Sequence, residues 1–131
     1  MGITIISEDG RFEWDKDKSR LNRKKHGFSF DEILEVFDDP AFLEGYDVEH
    51  SIKEERYYGI GRINNILCII VFYTYPERNL PASLPKDGDK DSWVKESEPF
   101  YMHERRRIFS ARRADKEEQG DYDEYFKKAK S

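Results

Sequence analysis

Six basic side chains along the chain are of the types that act on a phosphodiester. A histidine exchanges a proton near neutral pH, while lysine and arginine stabilise negative charge on a phosphate. Cleaving an RNA strand without a metal needs a base for the 2′-hydroxyl, cations for the phosphate and an acid for the leaving 5′-oxygen. The candidate residues are Lys25, His26, Arg56, Arg62, Arg112 and Arg113. Tyr73 and Glu55 are further side chains that could assist.

Several of these residues also have a purely structural alternative. His26 stands where a cation meets the negative end of a helix. Arg56 follows two acids, Glu54 and Glu55, with which it can pair at the surface. Arg62 can simply be a solvent-exposed residue at the end of a strand.

The most basic stretch runs from residue 105 to 114 and contains five arginines and no acid. Its centre, Ile108 to Ala111, predicts a short strand, and Asp115 and Glu118 have the spacing of a helix start. Arg112 and Arg113 therefore lie where a strand passes into a helix. Two guanidinium groups there suit a phosphate or carboxylate, although basic residues also keep edge strands from pairing with other chains.

The N-terminal part predicts a loose leader over residues 1–11, followed by a short extended piece at 12–15. A helix over 16–26 follows, with Asp15 at its start and Gly27 at its end. It has hardly any apolar face, so it is either weakly docked or holds its basic face against an anionic partner.

The next segment predicts a buried helix. Ser29 and Glu32 have the spacing of a capping box, and Asp38-Asp39-Pro40 ends the helix. Its expected buried stripe follows the period of an α-helix and consists of Phe30, Ile33, Leu34 and Phe37.

The middle of the chain predicts a hairpin. Segments 56–62 and 67–75 are strand-like and are joined by residues 63–66, which include two asparagines suited to left-handed turn positions. Segment 67–75 is apolar on both faces, so it is expected at the centre of the sheet, between the first hairpin strand and the Ile108 strand.

A proline-containing, acidic insertion at about 76–104 follows, and it predicts an extended loop before a final helix from 115 to about 129. The length of 131 residues predicts one domain, 1–131. The fold class predicted is α+β.

Composition excludes several classes of protein. A net charge of −5 argues against a generally basic nucleic-acid binder, although two basic blocks could converge on one face. No apolar run approaches the length of a membrane span, and no signal peptide is visible, so we expect a cytoplasmic protein that does not enter a membrane. Cys68 is alone and is expected to be a buried small hydrophobe. The histidines show no metal-ligand spacing, so neither a metal nor a cofactor is expected.

Several motifs together resemble the BrnT toxins of bacterial type II toxin–antitoxin systems, over about residues 12–125. The matching motifs are Phe12-Glu13-Trp14-Asp15, Lys25-His26-Gly27, Phe28-Ser29-Phe30-Asp31-Glu32, Val36-Phe37-Asp38-Asp39-Pro40, His50-Ser51, Glu54-Glu55-Arg56 and Ile108-Phe109-Ser110-Ala111-Arg112-Arg113-Ala114. The resemblance implies a RelE-like fold, with N-terminal helices and a C-terminal helix packed on a small, mainly antiparallel sheet. The acidic insertion departs from the family, where this connection is usually short.

The resemblance also implies a function. BrnT toxins are ribonucleases that arrest translation and growth, and BrnA antitoxins neutralise them. The ribbon-helix-helix part of BrnA binds DNA, so the toxin would reach DNA only through its antitoxin. A dimer of toxin–antitoxin pairs is compatible with this arrangement.

On that basis we predict a metal-independent endoribonuclease. His26 would be the general acid or base, Arg62 and Arg112 would clamp the phosphate and the transition state, and the other three cations would position RNA. These three are Lys25, Arg56 and Arg113. The alternatives are a toxin-like binding module that has lost cleavage and a transcriptional co-regulator that acts with a DNA-binding antitoxin.

Overall fold

The computed structural model describes residues 2–51, 53–76 and 104–130. These residues form an α+β fold, as predicted. The strands are β1 (Thr4–Ile6), β2 (Phe12–Asp15), β3 (Leu43–Tyr46), β4 (Tyr57–Ile63), β5 (Leu67–Thr74) and β6 (Arg106–Arg113). The helices are α1 (Lys16–His26), a 3₁₀ helix (Phe30–Asp38) and α2 (Lys116–Lys130). The predicted acidic insertion lies, apart from its two end residues, outside the described part of the chain.

The strands form one six-stranded sheet in the order β1-β2-β6-β5-β4-β3. Four pairings are antiparallel, and β2 runs parallel to β6 with Trp14 opposite Ile108. The sheet is therefore mixed and larger than the small, mainly antiparallel one that we expected. The prediction of a loose leader was wrong, because β1 pairs with β2 and places Ile5 opposite Trp14.

The central hairpin was predicted correctly. Asn64 and Asn65 have φ angles of 55° and 61° and form the turn between β4 and β5. β5 lies between β4 and β6, as its two apolar faces indicated. At the start of α2, the Asp115 N–H donates to Glu118 Oε1 and the Glu118 N–H donates to Asp115 Oδ1, both at 2.8 Å. This reciprocal pair is the capping box that the sequence predicted.

The helix predicted after Ser29 exists, but it is a 3₁₀ helix. Phe30, Ile33 and Val36 are all fully buried, whereas Leu34 and Phe37 are only partly buried. A 3₁₀ helix has three residues per turn, so side chains three apart lie on the same side. The predicted stripe was therefore correct for Phe30 and Ile33, but it included the partly buried Leu34 and Phe37 and omitted Val36, because it assumed the period of an α-helix.

The helices cover both faces of the sheet. Beneath the 3₁₀ helix lies the larger core cluster, which includes Phe12, Val71 and Tyr73. On the opposite face, Tyr122 of α2 packs with Ile60 and Ile70. None of the described helices is long and apolar enough to cross a membrane.

Helix α1 docks through polar side chains. Its buried residues are Ser19 and Asn22, and Ser19 Oγ accepts a hydrogen bond of 2.9 Å from the Phe30 N–H. Leu21 is the only aliphatic residue of the helix, yet 62% of it is exposed. Leu21 therefore does not serve to pack α1 against the apolar core.

Gly27 ends α1 in a left-handed conformation, with φ at 90°. A Cβ at this position would meet no atom within 4 Å, so the cost of Gly27→Ala is conformational rather than steric. We expect this substitution to lower the free energy of unfolding by about 1 kcal/mol. Urea denaturation followed by circular dichroism measures the change.

Gly120→Ala is the matched control. Gly120 lies within α2, a Cβ there also meets nothing within 4 Å, and its φ is not positive. Alanine should therefore raise the free energy of unfolding, by up to about 1 kcal/mol, because it favours helix over glycine. Equal effects of the two substitutions would contradict a conformational role for Gly27.

Candidate active site

A groove of about 480 Å³ separates the end of α1 from β6. Its lining residues are Lys18, Leu21, Asn22, Lys24, Lys25, His26, Phe109 and Ser110. The Asp15 carboxylate caps the start of α1, accepting from the Lys18 N–H at 2.9 Å, and Gly27 fixes its end. The register shifts between Phe72 and Tyr73, which pair with Ser110 and Ile108, so Phe109 has no partner opposite it.

His26 is the titratable group of this groove most suited to proton transfer. Its pKa is lowered from the ordinary value, first by partial burial and then by the positive charges of Lys25 and Arg112. An imidazole with a lowered pKa is neutral at pH 7, and a neutral imidazole can accept a proton. The groove thus combines a candidate base with several cations.

Arg112 contacts an acid of α2. Its Nη1 and Nη2 donate to Glu118 Oε1 and Oε2, each at 2.9 Å, and its guanidinium lies 5.6 Å from the centre of the Phe72 ring. The hydrogen bonds to Glu118 raise the pKa of Arg112. The two-pronged geometry predicted for a phosphate is therefore present, but its occupant is the carboxylate of Glu118.

Arg62 is not part of the groove lining. Its Nη2 lies 3.3 Å from Asp123 Oδ1, and its guanidinium stacks 5.0 Å from the ring centres of Tyr122 and Phe126. All three partners belong to α2. Arg62 thus holds the C-terminal helix on the sheet.

Arg56 contacts the groove only through Phe109, whereas Arg113 is not among the residues that line it. The Arg56 guanidinium lies 4.7 Å from the centre of the Phe109 ring and 3.5 Å from Glu54, the surface pairing that the sequence left open. Arg113 is exposed and pairs with Ile69, whereas Arg112 pairs with Ile70. Successive strand residues point to opposite faces, so Arg112 and Arg113 do not act on one ligand from the same side.

The remaining arginines of the basic stretch are engaged as well. Arg105 and Arg107 pair with Glu13 at 3.3 and 2.6 Å. Arg106 Nε donates to the Tyr75 hydroxyl at 3.0 Å on the 3₁₀-helix side of the sheet. The stretch is therefore largely neutralised, and the basic surface beside the groove comes mainly from α1.

The two suggested helpers lie elsewhere. Tyr73 is fully buried in the larger core cluster, and burial, reinforced by its hydrogen bond to Glu44, raises its pKa. It cannot exchange a proton with a ligand in the groove. Glu55 accepts a hydrogen bond of 3.2 Å from the Tyr57 hydroxyl.

Cys68 is half-buried in the smaller core cluster, and burial raises its pKa to about 11. A thiol of this kind is a poor nucleophile at neutral pH, in keeping with its predicted role as a small hydrophobe. Among residues 2–51, 53–76 and 104–130, no group of three or more His, Cys, Asp or Glu side chains is arranged to hold a metal ion.

Of the residues proposed from the sequence, Lys25 and His26 line the groove, whereas its other lining residues were not proposed. Lys18, Leu21 and Lys25 are spaced i, i+3 and i+7, so they share one face of α1. The single leucine on that face could have indicated from the sequence that this face lines a binding groove. Phe109 could not have been found this way, because the register shift that frees it from pairing is a property of the assembled sheet.

Comparison with known proteins gives one family. A family model described as ribonuclease toxin, BrnT, of type II toxin–antitoxin system matches residues 14–81. The matched segment begins in β2, contains the whole of α1 and ends beyond β5. No curated protein matches the chain.

Proposed function

Since the chain belongs to the BrnT family of ribonuclease toxins of type II toxin–antitoxin systems, we propose that it cleaves single-stranded RNA without a metal in the groove between α1 and β6. The observation that supports this is the position of His26. It has a lowered pKa and lines a groove with three lysines, Lys18, Lys24 and Lys25.

The proposed reaction uses the chain's own groups. Neutral His26 removes the proton of a 2′-hydroxyl, and the 2′-oxygen attacks the adjacent phosphorus. The bond from phosphorus to the 5′-oxygen breaks, leaving a 2′,3′-cyclic phosphate on one product and a 5′-hydroxyl on the other. The lysines stabilise the charge on the phosphate, and Lys25 donates the proton to the leaving oxygen.

Arg112 has a supporting role in this proposal. Its charge lowers the pKa of His26, and its two-pronged donor group suits a phosphate if Glu118 releases it. Arg56 positions RNA through Phe109. We assign Arg62 to holding α2 rather than to the transition state, and we give Arg113 no role in cleavage because it lies on the opposite face.

The direct test is RNA cleavage by the purified chain in excess EDTA. We expect single-stranded RNA to be cut to products that end in a 2′,3′-cyclic phosphate, as identified by mass spectrometry. Inducible expression in a bacterial host should stop growth, with loss of intact RNA. Cleavage that requires an added divalent cation would contradict the metal-independent reaction.

Replacing Glu118 tests whether Arg112 contributes to RNA binding. Glu118→Gln removes the carboxylate charge that holds Arg112 and keeps an oxygen for the Asp115 N–H. Because phosphate would no longer compete with a carboxylate, we expect RNA binding to tighten several-fold. Fluorescence anisotropy with a labelled, non-cleavable RNA measures this.

Asp123→Asn is the matched control, since it removes the equivalent carboxylate partner of Arg62. It should leave RNA affinity unchanged, because Arg62, unlike Arg112, is not among the charges that lower the pKa of His26 in the groove. An equal gain in both variants would indicate a general effect of net charge rather than release of Arg112.

We further propose a BrnA-like, ribbon-helix-helix antitoxin as the partner. Membership in a type II toxin–antitoxin family supports an antitoxin partner in general. In this proposal the antitoxin covers the basic groove, and the toxin reaches DNA only through it. A RelE-like relation of the fold is part of the same proposal, for which the α+β architecture is the support.

One observation favours a second candidate, a toxin-like binding module without cleavage. Both arginines expected to clamp the phosphate are paired with acids of α2. The EDTA experiment separates the two functions. Folded protein that binds RNA or an antitoxin yet leaves RNA intact under all conditions would favour the binding module.

A further inference from the structure

Leu21 has an unusual position for a leucine on a docked helix. The side of α1 that meets the sheet is polar, with Ser19 and Asn22 buried, while Leu21 is 62% exposed and lines the groove. A single exposed leucine is ordinary on a protein surface. This one, however, lines the same groove as Phe109 of β6, so two apolar side chains border one space.

Phe109 is held in place by its neighbours. It has no partner opposite it in β5, because the register shifts at this point. Arg56 stacks on its ring at 4.7 Å, and the Phe72 ring centre lies 6.4 Å away. A ring ordered in this way loses little conformational freedom when a ligand stacks on it.

The surroundings of this apolar pair are cationic. Lys18, Lys24 and Lys25 line the same groove and are all exposed. Their charges favour an anionic ligand, while Leu21 and Phe109 favour a flat apolar group. A nucleotide has both features, since a base stacks on aromatic side chains while its phosphate meets the cations.

We propose that Leu21 and Phe109 form a base-binding subsite that takes one unstacked base of single-stranded RNA beside the cleaved phosphate. This inference rests on the proposed function. It adds that the groove selects its substrate through one unstacked base. A base inside a duplex cannot enter the subsite, so the enzyme acts on single strands.

The test uses a short 2′-O-methyl RNA that contains one 2-aminopurine. The 2′-O-methyl groups prevent attack by the 2′-oxygen, so binding is measured without cleavage, and stacking quenches 2-aminopurine fluorescence. We expect Leu21→Ala and Phe109→Leu to weaken binding about tenfold and to reduce the quenching. Leu21→Phe should tighten binding, because it adds a second aromatic surface.

Ile66→Ala is the matched control. Ile66 is 83% exposed, follows β4 outside the groove and should be silent in both readouts. The same RNA with an abasic site in place of 2-aminopurine should bind wild type about as weakly as the complete RNA binds Leu21→Ala.

The outcomes separate the subsite from the ribonuclease proposal. If wild type cleaves ordinary RNA but the Leu21 and Phe109 variants bind and cleave as it does, the subsite is overturned and the ribonuclease stands. If wild type binds with quenching but never cleaves, the subsite stands and the ribonuclease proposal fails. Loss of antitoxin binding with unchanged RNA binding would also overturn the subsite, since the pair would then serve a protein partner.

Discussion

Replacement of His26 by alanine is expected to slow RNA cleavage by about 10²- to 10⁴-fold, the usual contribution of a positioned general base. The side chain lies at the end of α1 and is only partly buried, so its removal should not prevent folding. In a bacterial host the variant should no longer stop growth. Single-turnover cleavage of labelled RNA gives the rate, and circular dichroism confirms the fold.

Lys24→Ala is a useful comparison, because Lys24 lines the same groove two residues away. It should weaken RNA binding modestly and slow the cleavage of bound RNA far less than His26→Ala does, since a lysine at this position supplies charge and not the base. A His26→Ala variant that is folded and as toxic as wild type would remove the central residue of the proposed mechanism.

The pH dependence offers a readout that a structural role for His26 would not produce. The base must be neutral, so cleavage should fall as the pH drops through the pKa of His26, which lies below the ordinary value. Arg112→Gln removes one of the positive charges that lower this pKa. The acid limb of the profile should therefore move to higher pH in that variant. A profile that does not move would show that Arg112 does not influence His26.

Features that depend on neighbours in the chain could be predicted from the sequence. Helix α1 was predicted to the residue, because Asp15 and Gly27 both act within one turn of its ends. The Asn64-Asn65 turn and the start of α2 follow from similar local rules. The β1 strand was missed because its pairing with β2 is its main support, and no local signal requires it.

The surroundings of the candidate site residues were predictable only in part, because some of their partners are distant in the sequence. A run of arginines without acids indicated a phosphate-binding surface, but Glu118, only six residues beyond Arg112, and the distant Glu13 both pair with these arginines. The sequence distance between partners is large in the second case, 94 residues from Glu13 to Arg107. Lys25 and His26 do line the groove, because their motif lies at the end of α1, which the sequence placed correctly.

Asn22 is the residue on which the geometry of the groove depends most. Strand β2 runs beside β6 as far as Trp14 opposite Ile108, and the chain then turns into α1. The backbone of Ala111 lies beyond the end of that pairing. The amide of Asn22 takes the place of a strand there, donating to the Ala111 carbonyl at 2.9 Å and accepting from its N–H at 3.2 Å.

Asn22→Ala should consequently be the most damaging single change in α1. It leaves the buried N–H and carbonyl of Ala111 without their partner, and it removes a further bond of 2.8 Å to the Phe28 carbonyl. Each unmade buried hydrogen bond costs about 1–3 kcal/mol, so we expect a loss of about 3 kcal/mol or more in the free energy of unfolding. Urea denaturation measures the loss, with Lys24→Ala as an exposed control in the same helix.

Hydrogen exchange at the Ala111 amide can separate this local role from a general loss of stability. In Asn22→Ala the amide should exchange much faster than amides of β5, because the bond that protects it is gone while the central strands still pair. Cleavage should fall further than the folded fraction does, since Asn22 positions the helix that carries His26 against Phe109 and Ser110. If the Ala111 amide exchanged at the wild-type rate in a folded Asn22→Ala variant, this account would be contradicted. The orientation of α1 would then have to come from packing that includes neither Asn22 nor the exposed Leu21.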